Sequence, residues 1–154
     1  MTRRTWIVGV DGSEDSQAAL QWAVAQAAGR GVEIVALSTW RAPILPSDVI
    51  GQPALLMDWG VFETELGRRV DEIVTEVRDE AGASAPSIVP RIVQGRAAHE
   101  LITASRDAEL LVVGSRGKGG VSGAVLGSVS RQCATHSPVP VAVVPLDAAA
   151  APAQ

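Results

Sequence analysis

The first 40 residues constrain the fold more than any other part of the chain. Residues 5–10 and residues 32–39 are two apolar runs of strand length. Between them, apolar side chains recur at helical spacing from Ala18 to Ala27, Ser13 is placed to cap this helix, and Gly29 is placed to end it. A strand, a helix and a strand joined so closely predict a βαβ unit with parallel strands and a right-handed crossover.

The same alternation continues to the end of the chain. Further strands are predicted at residues 87–93, 109–113 and 139–144, and helices at 66–81, from about 97 to 107, and after Ser128. Residues 40–60 lose all periodicity and predict a loop on the surface. Pro90 removes a backbone donor from its strand and favours a position at the edge of the sheet. The pattern predicts an open five-stranded parallel sheet with helices on both faces, the Rossmann-like α/β class.

Composition narrows the classes of function. The 154 residues predict one domain over 1–146, followed by an Ala/Pro-rich unstructured tail over 147–154. A net charge of −4 argues against a surface for nucleic acid or anionic membrane. The apolar runs are too short to span a bilayer, and the N-terminus lacks the core of a signal peptide. The single cysteine, Cys133, cannot form an internal disulfide, so a cytoplasmic location is expected.

A glycine-rich stretch from Gly114 to Ser130 follows the fourth strand directly and precedes a helix. It carries Arg116 and Lys118 and no carboxylate, so its backbone N–H groups and the helix N-terminus favour an anion. The stretch is not a Walker A loop, because no such frame surrounds Lys118. It is not a dinucleotide fingerprint either, because Ser122 stands where the third glycine belongs. We interpret it as a phosphate-binding loop.

The spacing Gly114-x2-Gly117-x9-Gly127-Ser128 resembles the nucleotide-binding signature of the universal stress protein family, in its ATP-binding branch. The resemblance extends over nearly the whole chain. It implies the strand order 3-2-1-4-5, in which the first and fourth strands are neighbours that lead to helices on opposite faces. Ligands of such sheets bind outside the carboxyl ends of these two strands.

The resemblance also implies a set of nucleotide-binding residues. Asp11 would contact the ribose or a phosphate-bound Mg²⁺ or Mn²⁺, although a role as a turn or helix cap is equally open. Thr39 would meet adenine through its backbone, and Gly9 would let the nucleotide approach the first strand closely; Val10, between Gly9 and Asp11, belongs to the same nucleotide-binding set. Ser128 and Ser130 would add hydroxyl donors to the phosphates. The phosphate-binding set is Gly114, Ser115, Arg116, Gly117, Lys118, Gly119, Gly120, Gly127, Ser128, Val129 and Ser130.

Three functions are compatible with these residues. We favour an ATP-binding module whose occupancy regulates partners or its own assembly, with no catalytic residue and at most weak hydrolysis. A slow ATPase or a phosphoryl- or adenylyl-transfer enzyme is the alternative, but Asp11 alone offers little for metal-ion chemistry. A structural dimer without nucleotide would require a spoiled loop. His99 and His136 lack metal-ligand spacing.

The last strand, from Val139 to Val144, is apolar on both faces and lies at the sheet edge in the implied order. An uncovered apolar edge favours pairing with another strand. We therefore expect a homodimer in which this strand pairs antiparallel with its two-fold mate.

Overall fold

The computed structural model describes residues 4–42, 58–117 and 126–150. Five strands and four helices alternate along them. The strands are β1 (Arg4–Gly9), β2 (Val32–Trp40), β3 (Ser87–Gln94), β4 (Leu110–Gly114) and β5 (Val141–Val144). The helices are α1 (Glu14–Ala27), α2 (Trp59–Ala81), α3 (Ala97–Ala104) and α4 (Ser128–His136).

The sheet has the order β3-β2-β1-β4-β5, and every neighbouring pair of strands is parallel. In the register, Gly9 lies opposite Leu37 and Val8 lies opposite Val112. The predicted fold class and strand order are thereby confirmed. β3, which carries Pro90, is an edge strand as expected, and β5 forms the other edge.

Two apolar clusters cover the two faces of the sheet. Along β1, Val8 faces the cluster formed with α1 and α2, whereas Ile7 faces the cluster formed with α3 and α4. This alternation follows the two-residue period of a strand. Cys133 of α4 is fully buried in the second cluster, and burial raises the pKa of its thiol to about 11.

The ends of α1 are set by local chemistry. The Ser16 N–H donates to Ser13 Oγ at 3.2 Å, which caps the helix as the sequence predicts. After the helix, Gly29 and Gly31 have φ angles of +71° and +66°, a backbone conformation that other residues rarely adopt. The chain can therefore turn at once into β2.

Several boundaries differ from the expectation. Helix α3 ends at Ala104, and the next three residues, Ser105–Asp107, form a 3-10 helix. Helix α2 begins at Trp59, because the carboxylate of Asp58 accepts the Gly60 N–H at 2.9 Å. Residues 59 and 60 of the expected loop are therefore helical. Residues 43–57 of that loop lie outside the described residues. Strand β5 begins at Val141 because the Ser137 hydroxyl donates to Val139 O in a turn. The expected unstructured tail is wrong for residues 147–150. These form part of a 3-10 helix (Leu146–Ala150) with Ala148 packed on the core, and residues 151–154 are not described.

Among the residues that the structure describes, none of the helices has the length and apolar character needed to cross a membrane.

Candidate functional site

A cleft of about 360 Å³ opens at the carboxyl ends of β1 and β4. Its volume falls within the range of small-molecule sites, about 300–1,000 Å³. β1 leads into α1 on one face of the sheet and β4 leads towards α4 on the other, so the cleft lies at the point where the connections diverge. The lining residues are Gly9, Val10, Asp11, Ser16, Leu37, Ala97, Leu101, Val113, Gly114, Arg116, Gly117, Leu126, Gly127, Ser128, Val129, Ser130 and Arg131.

Gly114 ends β4 where the first turn of α1 packs against the strand. A Cβ atom at Gly114 would lie 2.8 Å from both the backbone C and O atoms of Asp15. Backbone cannot move aside as a flexible side chain can, so this glycine is required by the packing of α1 on β4. It brings the start of α1 against the start of the glycine-rich loop.

The base of the loop is held by hydrogen bonds. The Ser115 hydroxyl donates to Asp15 Oδ2 at 2.8 Å, and the Arg116 N–H donates to the same oxygen at 3.1 Å. The Gly127 N–H donates to Ser115 O at 2.7 Å, which joins the two ends of the loop. The Ser130 hydroxyl can donate to Ser115 O at 3.0 Å or to Gly127 O at 3.1 Å. Ser130 therefore supports the loop and does not offer the free hydroxyl donor that the sequence predicts.

The N-terminus of α4 faces the cleft. Gly127 is its N-cap and provides no side-chain cap, and the first turn contains no acidic residue. The first hydrogen bond of the helix is donated by the Arg131 N–H to Gly127 O, so the N–H groups of Ser128, Val129 and Ser130 have no partner within the helix. All three residues line the cleft, as does Arg131. This end of the cleft attracts an anion through the helix dipole and positive side chains.

Asp11 lines the cleft beside Gly117, and the two oxygens of its carboxylate lie in different surroundings. Oδ1 accepts the Ser13 N–H at 2.9 Å and the Ser13 hydroxyl at 2.5 Å, in a turn where Gly12 has a φ of +82°. Oδ2 faces the loop, because a Cβ atom at Gly117 would lie 2.8 Å from it. The turn role is therefore present, and the second oxygen lies where a ligand would pass.

The floor of the cleft is apolar. Leu37 of β2, Leu101 of α3 and Val113 of β4 form it, and all three are buried in the second core cluster. Gly9 lets Leu101 approach β1, since a Cβ atom there would lie 3.1 Å from a methyl carbon of Leu101. A ligand with a flat apolar part and an anionic part would match this apolar floor and the positively charged end of the cleft at α4.

Most predicted site residues come together in this cleft. Ser115 and Thr39 do not line it: Ser115 turns towards α1, and Thr39 lies two residues beyond Leu37, past the end of β1. Lys118, Gly119 and Gly120 lie outside the described residues. The predicted residues that do line the cleft are Gly9, Val10, Asp11, Gly114, Arg116, Gly117, Gly127, Ser128, Val129 and Ser130.

Sequence reasoning missed further residues of the site. Leu37, Leu101 and Val113 form its floor, Arg131 adds a positive charge, and Asp15 holds the start of the loop. Arg131 could have been found from its place in the first turn of a helix, where a cation is unfavourable without an anionic partner. For Asp15 the sequence offers only its place in the first turn of a predicted helix, because its partner Ser115 lies 100 residues away.

Within residues 4–42, 58–117 and 126–150, no group of three or more His, Cys, Asp or Glu side chains could hold a metal ion. Asp11 supplies the one carboxylate among the described lining residues. A divalent cation bound there would need oxygen ligands from a bound phosphate and water to complete its coordination.

The fold and cleft define an α/β domain that can hold an anionic ligand at the switch point of a parallel sheet. The model of the universal stress protein family matches residues 2–145, and the chain belongs to this family. Universal stress protein Rv2005c of Mycobacterium tuberculosis is 31% identical over 148 residues, which cover 95% of this chain and 49% of the relative. The chain thus spans about half the length of the curated relatives it matches.

Solved structures show the same fold. Universal stress protein UspA from Lactobacillus plantarum has a TM-score of 0.74 at 22% identity, covering 94% of this chain and 99% of that one. A universal stress protein solved in complex with cAMP has a TM-score of 0.63 at 26% identity, covering 95% of this chain and 99% of that one.

Proposed function

We propose that this domain binds an adenine nucleotide, with ATP and Mg²⁺ or Mn²⁺ as the physiological pair, and acts as a nucleotide-dependent regulatory module. The observation that carries the proposal is that one cleft combines an anion-binding end with an apolar floor. Uncapped N–H groups of α4 and the side chains of Arg116 and Arg131 lie at one end, and an apolar floor lies beside them. A phosphate and an adenine ring require these two environments.

The relative solved with cAMP supports the choice of ligand, because cAMP combines an adenine ring with a phosphate. In this chain the phosphates would accept hydrogen bonds from the first turn of α4 and from the loop beginning at Gly117. Asp11 would contact the ribose or a phosphate-bound cation through Oδ2. Adenine would lie towards Leu37, with the backbone of Thr39 at its edge.

An enzyme that hydrolyses ATP or transfers a phosphoryl or adenylyl group is the alternative. Such chemistry uses a base or water-positioning group and metal-binding carboxylates. Among the described lining residues, Asp11 is the single acid, and neither histidine nor cysteine lines the cleft. This inventory favours binding, and slow hydrolysis is compatible with it.

We further propose that the protein is a cytoplasmic homodimer joined through β5. Leu111 N–H donates to Pro140 O, and Ser115 N–H donates to Val144 O, both at 3.0 Å. Because backbone groups alternate along a strand, the N–H and C=O groups of Val141 and Val143 then point away from β4, towards the free edge. A two-fold mate could pair with this edge.

Two measurements test nucleotide binding. Mass spectrometry of small molecules released from the denatured, purified protein should detect an adenine nucleotide. Calorimetric titration with ATP, ADP, AMP and cAMP, with and without MgCl₂, should then show saturable binding. Absence of binding for all four nucleotides in the folded protein would contradict the proposal.

A charge variant locates the phosphates. Arg131→Gln should weaken ATP binding more than AMP binding, because a longer phosphate chain brings more negative charge to the start of α4. Arg106→Gln is the matched control, since Arg106 is an exposed arginine that does not line the cleft. Equal affinities for Arg131→Gln and Arg106→Gln would place the phosphates elsewhere.

A further inference from the structure

We propose that Asp15 is a positioning residue for ligand binding: it fixes Ser115 and Arg116 so that the start of the glycine-rich loop is held in one position beside the N-terminus of α4. This inference rests on the nucleotide binding proposed above. It assigns a function to a buried carboxylate that does not itself line the cleft and acts on it through Ser115 and Arg116.

A single oxygen of Asp15 carries the interaction. Oδ2 accepts the Ser115 hydroxyl at 2.8 Å and the Arg116 N–H at 3.1 Å, and Arg116 Nε lies 3.6 Å from it. The side chain of Asp15 is 11% exposed, so solvent screens these contacts weakly. Its negative charge lies in the first turn of α1, where the helix dipole favours it.

The anchor itself has little freedom to move. The backbone of Asp15 packs against Gly114 so closely that no Cβ atom would fit between them. The carboxylate is therefore placed by the contact between α1 and the end of β4, before any ligand arrives. Through its carboxylate, Asp15 in turn holds Ser115 and Arg116, the two residues that follow Gly114.

Ser115 connects the anchor to the other end of the loop. Its hydroxyl is held by Asp15, and its carbonyl accepts the Gly127 N–H at 2.7 Å and can accept the Ser130 hydroxyl at 3.0 Å. The start of α1 is thus linked to the start of α4 through one residue. Loss of Asp15 would release Ser115 and loosen both ends of the loop together.

The same contacts decide which donors face the ligand. The Arg116 N–H donates to Asp15, so it is not one of the donors that a phosphate in the cleft could use. The side chain of Arg116 lines the cleft and is 43% exposed, with its Nε held towards Asp15. Binding is tighter when groups at the ends of a binding loop are already in place, because less conformational entropy is then lost on binding.

Three variants test the role. Asp15→Ala should weaken ATP binding by at least about tenfold, since two hydrogen bonds to a buried carboxylate are lost. Asp15→Asn should retain most of the affinity, because its amide oxygen can accept the same two hydrogen bonds. Glu14→Ala is the matched control: it removes an acid from the same helical turn, but from an exposed position. The ATP affinity of Glu14→Ala should equal that of the parent.

Hydrogen exchange gives a readout without ligand. In the apo protein, exchange of the Arg116 amide should accelerate in Asp15→Ala and stay near the parent rate in Asp15→Asn. Should Asp15→Ala fail to fold, Ser115→Ala carries the test, because it removes one of the contacts and leaves the carboxylate paired with Arg116. Ser115→Ala should also bind ATP more weakly than the parent.

The outcomes separate the two proposals. A parent that binds ATP, with Asp15→Ala or Ser115→Ala binding equally well, overturns the role of Asp15 and leaves nucleotide binding intact. A folded Asp15→Asn that binds as weakly as Asp15→Ala also overturns positioning by hydrogen bonds. A parent that binds no adenine nucleotide overturns the function on which the role depends.

Discussion

Gly117 and Asp11 lie side by side in the cleft, so closely that a Cβ atom on Gly117 would lie 2.8 Å from Asp11 Oδ2. The φ angle of Gly117 is not in the left-handed region, unlike those of Gly12, Gly29, Gly31 and Gly82. Its backbone conformation is therefore open to other residues. A larger residue at position 117 would have to displace the carboxylate of Asp11, so glycine is favoured here by space and not by a special turn.

Gly117→Ala should lower ATP affinity at least about tenfold, or about 1.4 kcal/mol, with little loss of folding. The added methyl group would displace the Asp11 carboxylate and occupy the approach of the phosphates. Calorimetric titration measures the affinity and thermal unfolding measures stability. Gly67→Ala is the control, because a Cβ atom there meets nothing within 4 Å; in the helix interior it should stabilise by up to about 1 kcal/mol. Unchanged ATP affinity in a folded Gly117→Ala would refute the loop assignment.

Asp11→Asn separates the two roles of this carboxylate. The amide oxygen can still accept the Ser13 N–H, so the turn and α1 should remain folded. If the carboxylate binds a phosphate-bound cation, the loss of ATP affinity should be larger with MgCl₂ or MnCl₂ than with a chelator. We expect this difference. Equal losses in both conditions would indicate ribose contact, and no loss in either would leave Asp11 with the turn alone.

The buried thiol of Cys133 should make stability fall in alkaline solution. Burial raises its pKa to about 11, whereas the thiol of an unfolded chain ionises near pH 8.5. Between these values the unfolded state has lost a proton that the folded state retains, so the free energy of unfolding decreases as the pH rises.

Denaturant titrations of the parent and Cys133→Ala between pH 8 and pH 10 measure this effect. The chain has no tyrosine and one lysine, so few other groups titrate in this interval. The free energy of unfolding should fall less steeply with rising pH in Cys133→Ala than in the parent. If the free energy of unfolding fell equally steeply with pH in the two proteins, the thiol would have the same pKa in the folded and unfolded states.

Val143→Lys should shift the protein from dimer towards monomer in sedimentation experiments. The lysine would lie near the centre of the paired β5 strands, opposite its counterpart across the two-fold axis. Val89→Lys is the control, because Val89 is 42% exposed on β3, the other edge of the sheet.

Val143 also packs against the second core cluster, so thermal unfolding must accompany the measurement. Val143→Pro gives a second test. It removes an N–H group that points to the free edge and leaves the hydrogen bonds with β4 in place. A parent that sediments as a monomer at micromolar concentration would end the dimer proposal.

Much of the fold could be predicted because its determinants are local. Apolar runs bounded by Gly, Pro and capping residues predict all five strands. The predicted N-cap of α1 at Ser13 and the predicted end of this helix before Gly29 are confirmed. The start of α2 was missed because Asp58, its N-cap, stands among residues without periodicity. The start of β5 was missed because the side-chain turn at Ser137 overrides the apolar pattern.

The site divides in the same way. Local spacing is enough to predict the glycine-rich loop, the helix that follows it and the acid that follows β1, because each depends on neighbours in the chain. The contact of Asp15 with Ser115 and the support of the loop by Ser130 are visible only in the folded chain. They depend on which helix start the parallel sheet brings against the end of β4, and partners that lie 100 or 15 positions apart leave no local pattern in the sequence.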